Sequence, residues 1–160
     1  MSIRCEIVTQ DRSLFEGEAD IVIAPGSEGE LGILPNHAPL LTTLEFGVLI
    51  VRHQGQEEAF AIAGGILEVR PDVITVLADV GERVDEIDLS RAEAARERAQ
   101  AYLQEGPPPD TDEYLRIQAA LRRSRVRIDA VKRFKKRPSF PRRGRVMMKE
   151  PNPCPYLVRI

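Results

Sequence analysis

The amino-acid sequence predicts a β sandwich followed by an α-helical hairpin, two small domains within 160 residues. Three observations carry that expectation. Up to about residue 86, apolar residues alternate with polar ones in short runs separated by turn residues, and no stretch has helical periodicity. From Asp85 the period lengthens, and two segments of helical spacing flank Glu105-Gly106-Pro107-Pro108-Pro109-Asp110, which cannot be helix. The charge divides at the same place: residues 1–86 hold 5 basic and 16 acidic residues, a net of −11, whereas residues 87–160 hold 18 basic and 9 acidic, a net of +9. The expected units are a sandwich domain over 1–86, a two-helix hairpin over 87–136 and a basic, proline-rich tail over 137–160, expected to be disordered.

In chain order, Ile3, Cys5 and Ile7 alternate with Arg4 and Glu6 as in a half-buried strand. Gln10-Asp11-Arg12 reads as a turn, and Leu14-Phe15 opens a second strand. Ala19, Ile21 and Ile23 continue the alternation, which closes at Pro25-Gly26. Residues 48–52 and 59–63 form a hairpin around His53-Gln54-Gly55-Gln56, and residues 66–70 and 73–77 form another around Pro71-Asp72. Gly64-Gly65 between them permits a sharp bend or a bulge. The stretch 27–47 reads as loop, because Gly29 and Gly32 permit positive φ while Pro35 and Pro39 fix φ and remove donors. It is apolar for a loop, with Leu31, Ile33, Leu34, Leu40, Leu41 and Leu44, and it carries Glu28, Glu30 and His37. That mixture suits a docking surface; the alternative is an ordinary connection whose leucines plug the core.

Asp85 or Asp88 can cap the first helix, which runs to about Gln104 with a stripe of Ala92, Ala95, Ala99 and Leu103. Asp110 and Glu113 have the spacing of a capping box for the second. Tyr114, Ile117, Leu121, Ser124, Ile128 and Val131 then recur every three or four residues, a seam wide enough for one antiparallel partner. Two helices alone bury little surface, so the hairpin is expected to need another surface.

The composition, 42% hydrophobic and 30% charged, is that of a soluble globular protein, and no apolar run approaches the roughly 20 residues of a bilayer span. The first residues lack the features of a signal peptide, and Cys5 and Cys154 match no disulfide or metal spacing, so a reducing, cytosolic setting is expected. There is no glycine-rich phosphate loop, nucleophile elbow or zinc motif, and neither His37 nor His53 has a ligand-like neighbour. A free-standing enzyme is not expected. Residues 116–149 hold 14 basic residues and one acid, Asp129, a density that could meet nucleic acid, anionic lipid, phosphate or an acidic protein. A nucleic-acid-binding adaptor is thus one reading, although the segment lacks the interleaved aromatics of a single-strand platform. Arg91 and Arg98 share one face of the first helix, and Arg123 and Arg127 share one face of the second. On a closed hairpin the four guanidinium groups could converge on a phosphate, with Glu82 and Asp88 nearby to accept hydrogen bonds; the alternative is an exposed, salt-bridged surface.

Together these residues resemble the epsilon subunit of the bacterial F-type ATP synthase. The resemblance rests on the run from Gly29 through Leu34-Pro35-Asn36-His37 to Leu40, on Gly64-Gly65-Ile66-Leu67-Glu68-Val69-Arg70-Pro71-Asp72, on Val76-Leu77-Ala78-Asp79 and on Ile87-Asp88-Leu89-Ser90-Arg91-Ala92. It covers about residues 3–136. It implies a ten-stranded sandwich and a non-catalytic central-stalk subunit, peripheral on the cytoplasmic side of the cell membrane, that couples rotation to ATP synthesis. The implied partners are the gamma subunit, the subunits of the membrane rotor ring and, through extended helices that restrain hydrolysis, the alpha and beta catalytic subunits. Nucleic acid is not expected as a partner, and the isolated chain is expected to be a monomer. Glu28, Glu30, Leu31 and His37 fall where the family meets the ring and gamma. No cofactor is required, but regulatory ATP binding is implied at Glu82, Ile87, Asp88, Arg91, Ala92, Arg98, Arg123 and Arg127. The chain departs from the family in its tail from Pro138 to Ile160, and the triple proline Pro107-Pro108-Pro109 makes a stiff linker expected to limit straightening of the hairpin.

Overall fold

The computed structural model describes residues 1–104 and 110–135. Its strands are β1 (Ile3–Thr9), β2 (Ser13–Ala19), β3 (Ile21–Gly26), β4 (Gly29–Ile33), β5 (Leu40–His53), β6 (Gln56–Val69), β7 (Val73–Ala78) and β8 (Gly81–Arg83). A single 3-10 turn, Val84–Glu86, leads to helices α1 (Leu89–Gln104) and α2 (Thr111–Phe134). The strands hydrogen-bond in the order β2-β1-β7-β6-β5-β3-β4, with β8 on the other half of β6; every pair is antiparallel except β1 with β7.

This is a sandwich because β5 and β6, 14 residues each, serve both layers. Leu40 to Leu44 pair with Gly65 to Val69 beside β7, while Phe46 to His53 pair with Gln56 to Ala63 beside β3 and β8. The ladder lapses between these halves, at Glu45 opposite Gly64, where Gly64 and Gly65 have φ of 83° and 130°. At this break β6 exchanges β8 for β7 as its neighbour. Among the described residues, the ten strands implied by resemblance are therefore eight continuous ones, two of which count once in each layer. The layers close on a core that includes Ile3, Cys5, Ile7, Val22, Ile33, Leu49, Ile62, Leu67 and Val76, with Phe15 of β2 edge-on to Phe60 of β6 at 5.9 Å.

The expectation of loop over 27–47 fails, since β4 and the first half of β5 occupy much of it. Ile33 and Leu44 are buried and find ladder partners in β3 and β6. The prolines that argued for loop fall outside the ladders, in the connection 34–39. There Leu34-Pro35-Asn36-His37 makes a type II turn: His37 N–H donates to Leu34 O at 3.1 Å, and Asn36 takes the positive φ of 66°. The leucines divide, for Leu34 and Leu41 are 57% and 71% exposed and plug nothing. The hairpin turn Gln54-Gly55 has φ of 50° and 76°, a primed turn matched to the strand twist.

Asp88, not Asp85, caps α1, accepting from the N–H of Arg91 at 3.2 Å. Asp110 caps α2 through the N–H of Asp112 at 3.0 Å. The reciprocal half of a capping box is replaced, because Glu113 Oε1 accepts from the Tyr102 hydroxyl across the hairpin at 2.8 Å. The expected disorder of 137–160 and the triple proline lie outside the described residues.

A Cβ on Gly65 would collide with the Leu77 carbonyl oxygen and stand 2.8 Å from the Ala78 Cα, so the strand exchange tolerates no side chain there. Gly65→Ala is expected to cost about 3 kcal/mol or more in a denaturant titration. Gly55→Ala, with open space around it, is expected to cost about 1 kcal/mol. Burial pushes the Cys5 thiol from its ordinary 9.0 up to about 12, with Glu6 adding to the effect. Between those values the unfolded chain binds fewer protons than the folded one, so the thiol's contribution to stability falls as pH rises through that window. Alkaline melts of Cys5→Ala should show a shallower decline than the parent; equal slopes would refute the assignment.

Candidate functional site at the junction of helix and sandwich

Helix α2 lies between α1 and the sandwich because its sequence carries two apolar faces. Leu121, Ser124, Ile128 and Val131 continue the seam towards α1, and the buried Ser124 hydroxyl donates to Leu121 O at 2.8 Å. Val126, Ala130 and Phe134 form the second face. With Val131 they pack against Val48, Ala59, Ala61, Val84, Ile87 and Leu89. Fully buried in that cluster are two alanines, two valines and one isoleucine, a modest apolar contact. Polar contacts complete it.

Arg127 Nε donates to Glu82 Oε2 at 2.8 Å, with the two side chains 35% and 28% exposed. This pair lines a shallow pocket of about 10 Å³, room for one water, together with Arg123, Val126, Val80 and β6. One helical turn beyond Val131, Lys135 Nζ donates to the Ile87 carbonyl at 2.7 Å. Next to Glu82 on β8, the Arg83 guanidinium meets Glu58 at 2.9 Å and Asp85 at 3.2 Å, and stands 5.7 Å from the Phe60 ring centre. Burial alone would lower the basicity of Arg83, but the hydrogen bond to Asp85 and the charges of Glu58 and Asp85 outweigh it and raise its pKa.

The eight residues grouped from the sequence thus divide. Glu82, Arg123 and Arg127 share the pocket. Ile87 is 2% exposed within the cluster, Ala92 is buried in the helix pair, and Asp88 is occupied as a cap. Arg91 and Arg98 are exposed on α1 and do not line the pocket. Each precedes a buried seam alanine, Ala92 or Ala99, by one residue, as Arg127 precedes Ile128. In an antiparallel pair such positions flank the seam on one side, so the three guanidinium groups share a side of the hairpin. Among the described residues no carboxylate lies within 4.0 Å of Arg91, Arg98 or Arg123.

At the far edge of the sandwich, Glu28 lies in the β3–β4 turn, with Glu30 and Leu31 beside it on β4. His37 stands beyond the other end of β4, its Nδ1 2.7 Å from Ala38 O, so these four residues form two separate patches. Sequence reasoning missed Lys135 and Arg83. Lys135 continues the three-and-four spacing after Ile128 and Val131, which was the available signal; nothing in the local sequence marks Arg83.

Two families match consecutive parts of this architecture. The family described as ATP synthase, Delta/Epsilon chain, beta-sandwich domain matches residues 2–84, and that described as ATP synthase, Delta/Epsilon chain, long alpha-helix domain matches residues 85–132. The chain belongs to the ATP synthase delta/epsilon chain family. Within that family, a protein of Dehalococcoides mccartyi named ATP synthase epsilon chain is 43% identical over 142 residues, covering 85% of this chain and 96% of that one. One of the same name from Moorella thermoacetica is 47% identical over 130 residues, covering 81% and 96%. A chain in a structure of the Euglena gracilis mitochondrial ATP synthase, OSCP/F1/c-ring, has the same fold, with a TM-score of 0.70, 24% identity and 81% of each chain covered. A chain in a central stalk and c-ring structure of the Tetrahymena thermophila enzyme gives 0.52 at 14% identity, covering 82% of this chain and 97% of that one. No helix among the described residues is long and apolar enough to cross a membrane.

Removing Arg127 strands a half-buried carboxylate, so Arg127→Ala is expected to cost about 1 kcal/mol in stability. Adding Glu82→Gln should recover part of that loss, and a double-mutant cycle by urea denaturation measures the coupling. Strict additivity would mean that the pair does not hold α2.

Proposed function

We propose that the chain is a central-stalk subunit of an F-type ATP synthase, turning with gamma on the membrane rotor ring. In this reading its hairpin restrains ATP hydrolysis when it leaves the sandwich. Family membership supports the stalk role, and the edge patches at Glu28, Glu30 and Leu31 and at His37 supply separate surfaces for ring and gamma. The observation that carries the regulatory part is the manner in which α2 is held: a small apolar cluster, one partly exposed ion pair and one lysine clasp. A contact of that size allows release without unfolding either partner.

ATP is the proposed ligand of the docked form. Arg91, Arg98 and Arg127 flank one side of the hairpin, Arg123 opens onto the pocket, and Glu82 offers an acceptor suited to an adenine amino group. The pocket itself is too small for a nucleotide, so the ligand would lie across the helices with only its edge entering. Binding then biases the docked form only by its preference for that form over the released one. A nucleic-acid adaptor gains nothing from the comparisons. Three of the basic side chains it would use, Arg123, Arg127 and Lys135, are turned to the junction.

Calorimetric titration of the whole chain with ATP should show saturable binding that is lost in an Arg91→Ala, Arg127→Ala double variant. Flat heats at millimolar ATP would remove the ligand from the proposal. In the reassembled synthase, Arg123→Ala with Arg127→Ala should change inhibition of hydrolysis, and unchanged inhibition would remove the regulatory role. A chain that fails to co-purify with gamma and the ring would sink the stalk assignment itself.

A further inference from the structure

The seam between the two helices holds a charged residue that neither the junction nor the proposed ligand uses. Helix α1 packs chiefly on α2, and the side chains it buries there are small, Ala92 and Ala99. Arg96 stands four residues after Ala92 and three before Ala99, so its side chain starts from the same face. Arg91 and Arg98 sit on one flank of that face instead. Arg96 is half-buried, and its Nε is out of reach of solvent and has no hydrogen-bond partner. Among the described residues no carboxylate lies within 4.0 Å of its guanidinium.

The surroundings explain why Arg96 stays unpaired. The hydrogen bond from Tyr102 to Glu113 fixes the antiparallel register, and counting back from it places Arg96 opposite the middle of α2. There, residues 114–128 hold five arginines and no acid. Of the five only Arg127 has an ion-pair partner among the described residues, and that partner is Glu82 of the sandwich. The buried polar side chain of the stretch, Ser124, donates its hydroxyl proton to Leu121 O. Glu93 and Glu97, the closest acids in the chain, form no ion pair with Arg96. A buried donor without an acceptor and a cation facing cations both oppose the closed seam.

We propose that Arg96 is a built-in counterweight in this seam. It keeps the contact of α1 with α2 close to balance, so that α1 can leave α2 while the sandwich stays folded. On detachment the guanidinium regains water and the cost disappears. An apolar side chain of similar length would lock the pair. This opening lies between the helices and is distinct from release of α2 from the sandwich. It deepens the regulatory reading above, but it concerns the free chain without ATP, so either can fail alone.

Amide hydrogen exchange of the full chain without nucleotide tests it. A 16-residue helix alone in water is marginal, so the amides of α1 exchange once it detaches. Arg96→Met keeps the stem and the helix propensity while removing the charge and the donors. Amides from Ala95 to Tyr102 should then exchange about tenfold more slowly than in the parent, with those of β1 and β7 unchanged. Arg125→Met removes an exposed charge from α2 and should leave exchange in α1 within about twofold. Equal or faster exchange of α1 in Arg96→Met would mean that the guanidinium supports the seam and would overturn the proposal. Equal slowing in Arg125→Met, or slowing shared by the strands, would overturn it too, since the effect would then belong to net charge or to the whole fold.

Discussion

The burial of Ile87 is the contact on which the arrangement of this molecule depends. The residue ends the 3-10 turn that leads out of the sandwich, and its side chain sits among Ala61, Val84, Ala130 and Val131. Its carbonyl receives Lys135 from the last turn of α2, so the start and the end of the hairpin are tied at one residue. Asp88 follows directly and caps α1, which fixes the direction in which the first helix leaves. Helix α1 then packs on α2, and α2 on the sandwich. Loosening α2 therefore moves the whole hairpin, since α1 has little of its own to hold it down.

The polar contacts at this junction differ in kind from the core beneath them. The core of the sandwich is a closed set of aliphatic and aromatic side chains, with no charges for salt to screen. The junction adds the ion pair of Arg127 with Glu82, which is partly solvated. Such pairs weaken as ionic strength rises, so hairpin and sandwich respond to different variables within one chain. The charge division between residues 1–86 and 87–160 is the sequence-level trace of that separation.

Much of this was legible in the chain, for definite reasons. Strands with strict alternation, such as Ile3-Arg4-Cys5-Glu6-Ile7, and the helical seam from Tyr114 to Val131 stand where periodicity puts them, because one buried face dictates the period. The stretch 27–47 misled because Gly29, Gly32, Pro35 and Pro39 are close in sequence yet divide between strand ends and a turn, which only the ladder partners in β3 and β6 reveal. Of the arginines, Arg127 and Arg123 reach the junction and Arg91 and Arg98 do not. A face of a helix can be read from spacing, but what lies against that face is set by a strand more than forty residues away. The Lys135 clasp was hidden for the same reason: its acceptor is a backbone carbonyl, which leaves no signal in residue type.

The order of the strands has one further consequence. β2 and β4 are the two ends of the hydrogen-bonded path, each with a row of backbone groups unpaired by the sheet. Exposed glutamates stand on both, Glu16 and Glu18 on β2 and Glu30 on β4, with Glu28 at the turn beside it. Two copies of this chain approaching edge to edge would bring like charges together before any backbone bond could form. An unassembled subunit, with its partner surfaces still bare, is thereby protected from growing into an extended intermolecular sheet.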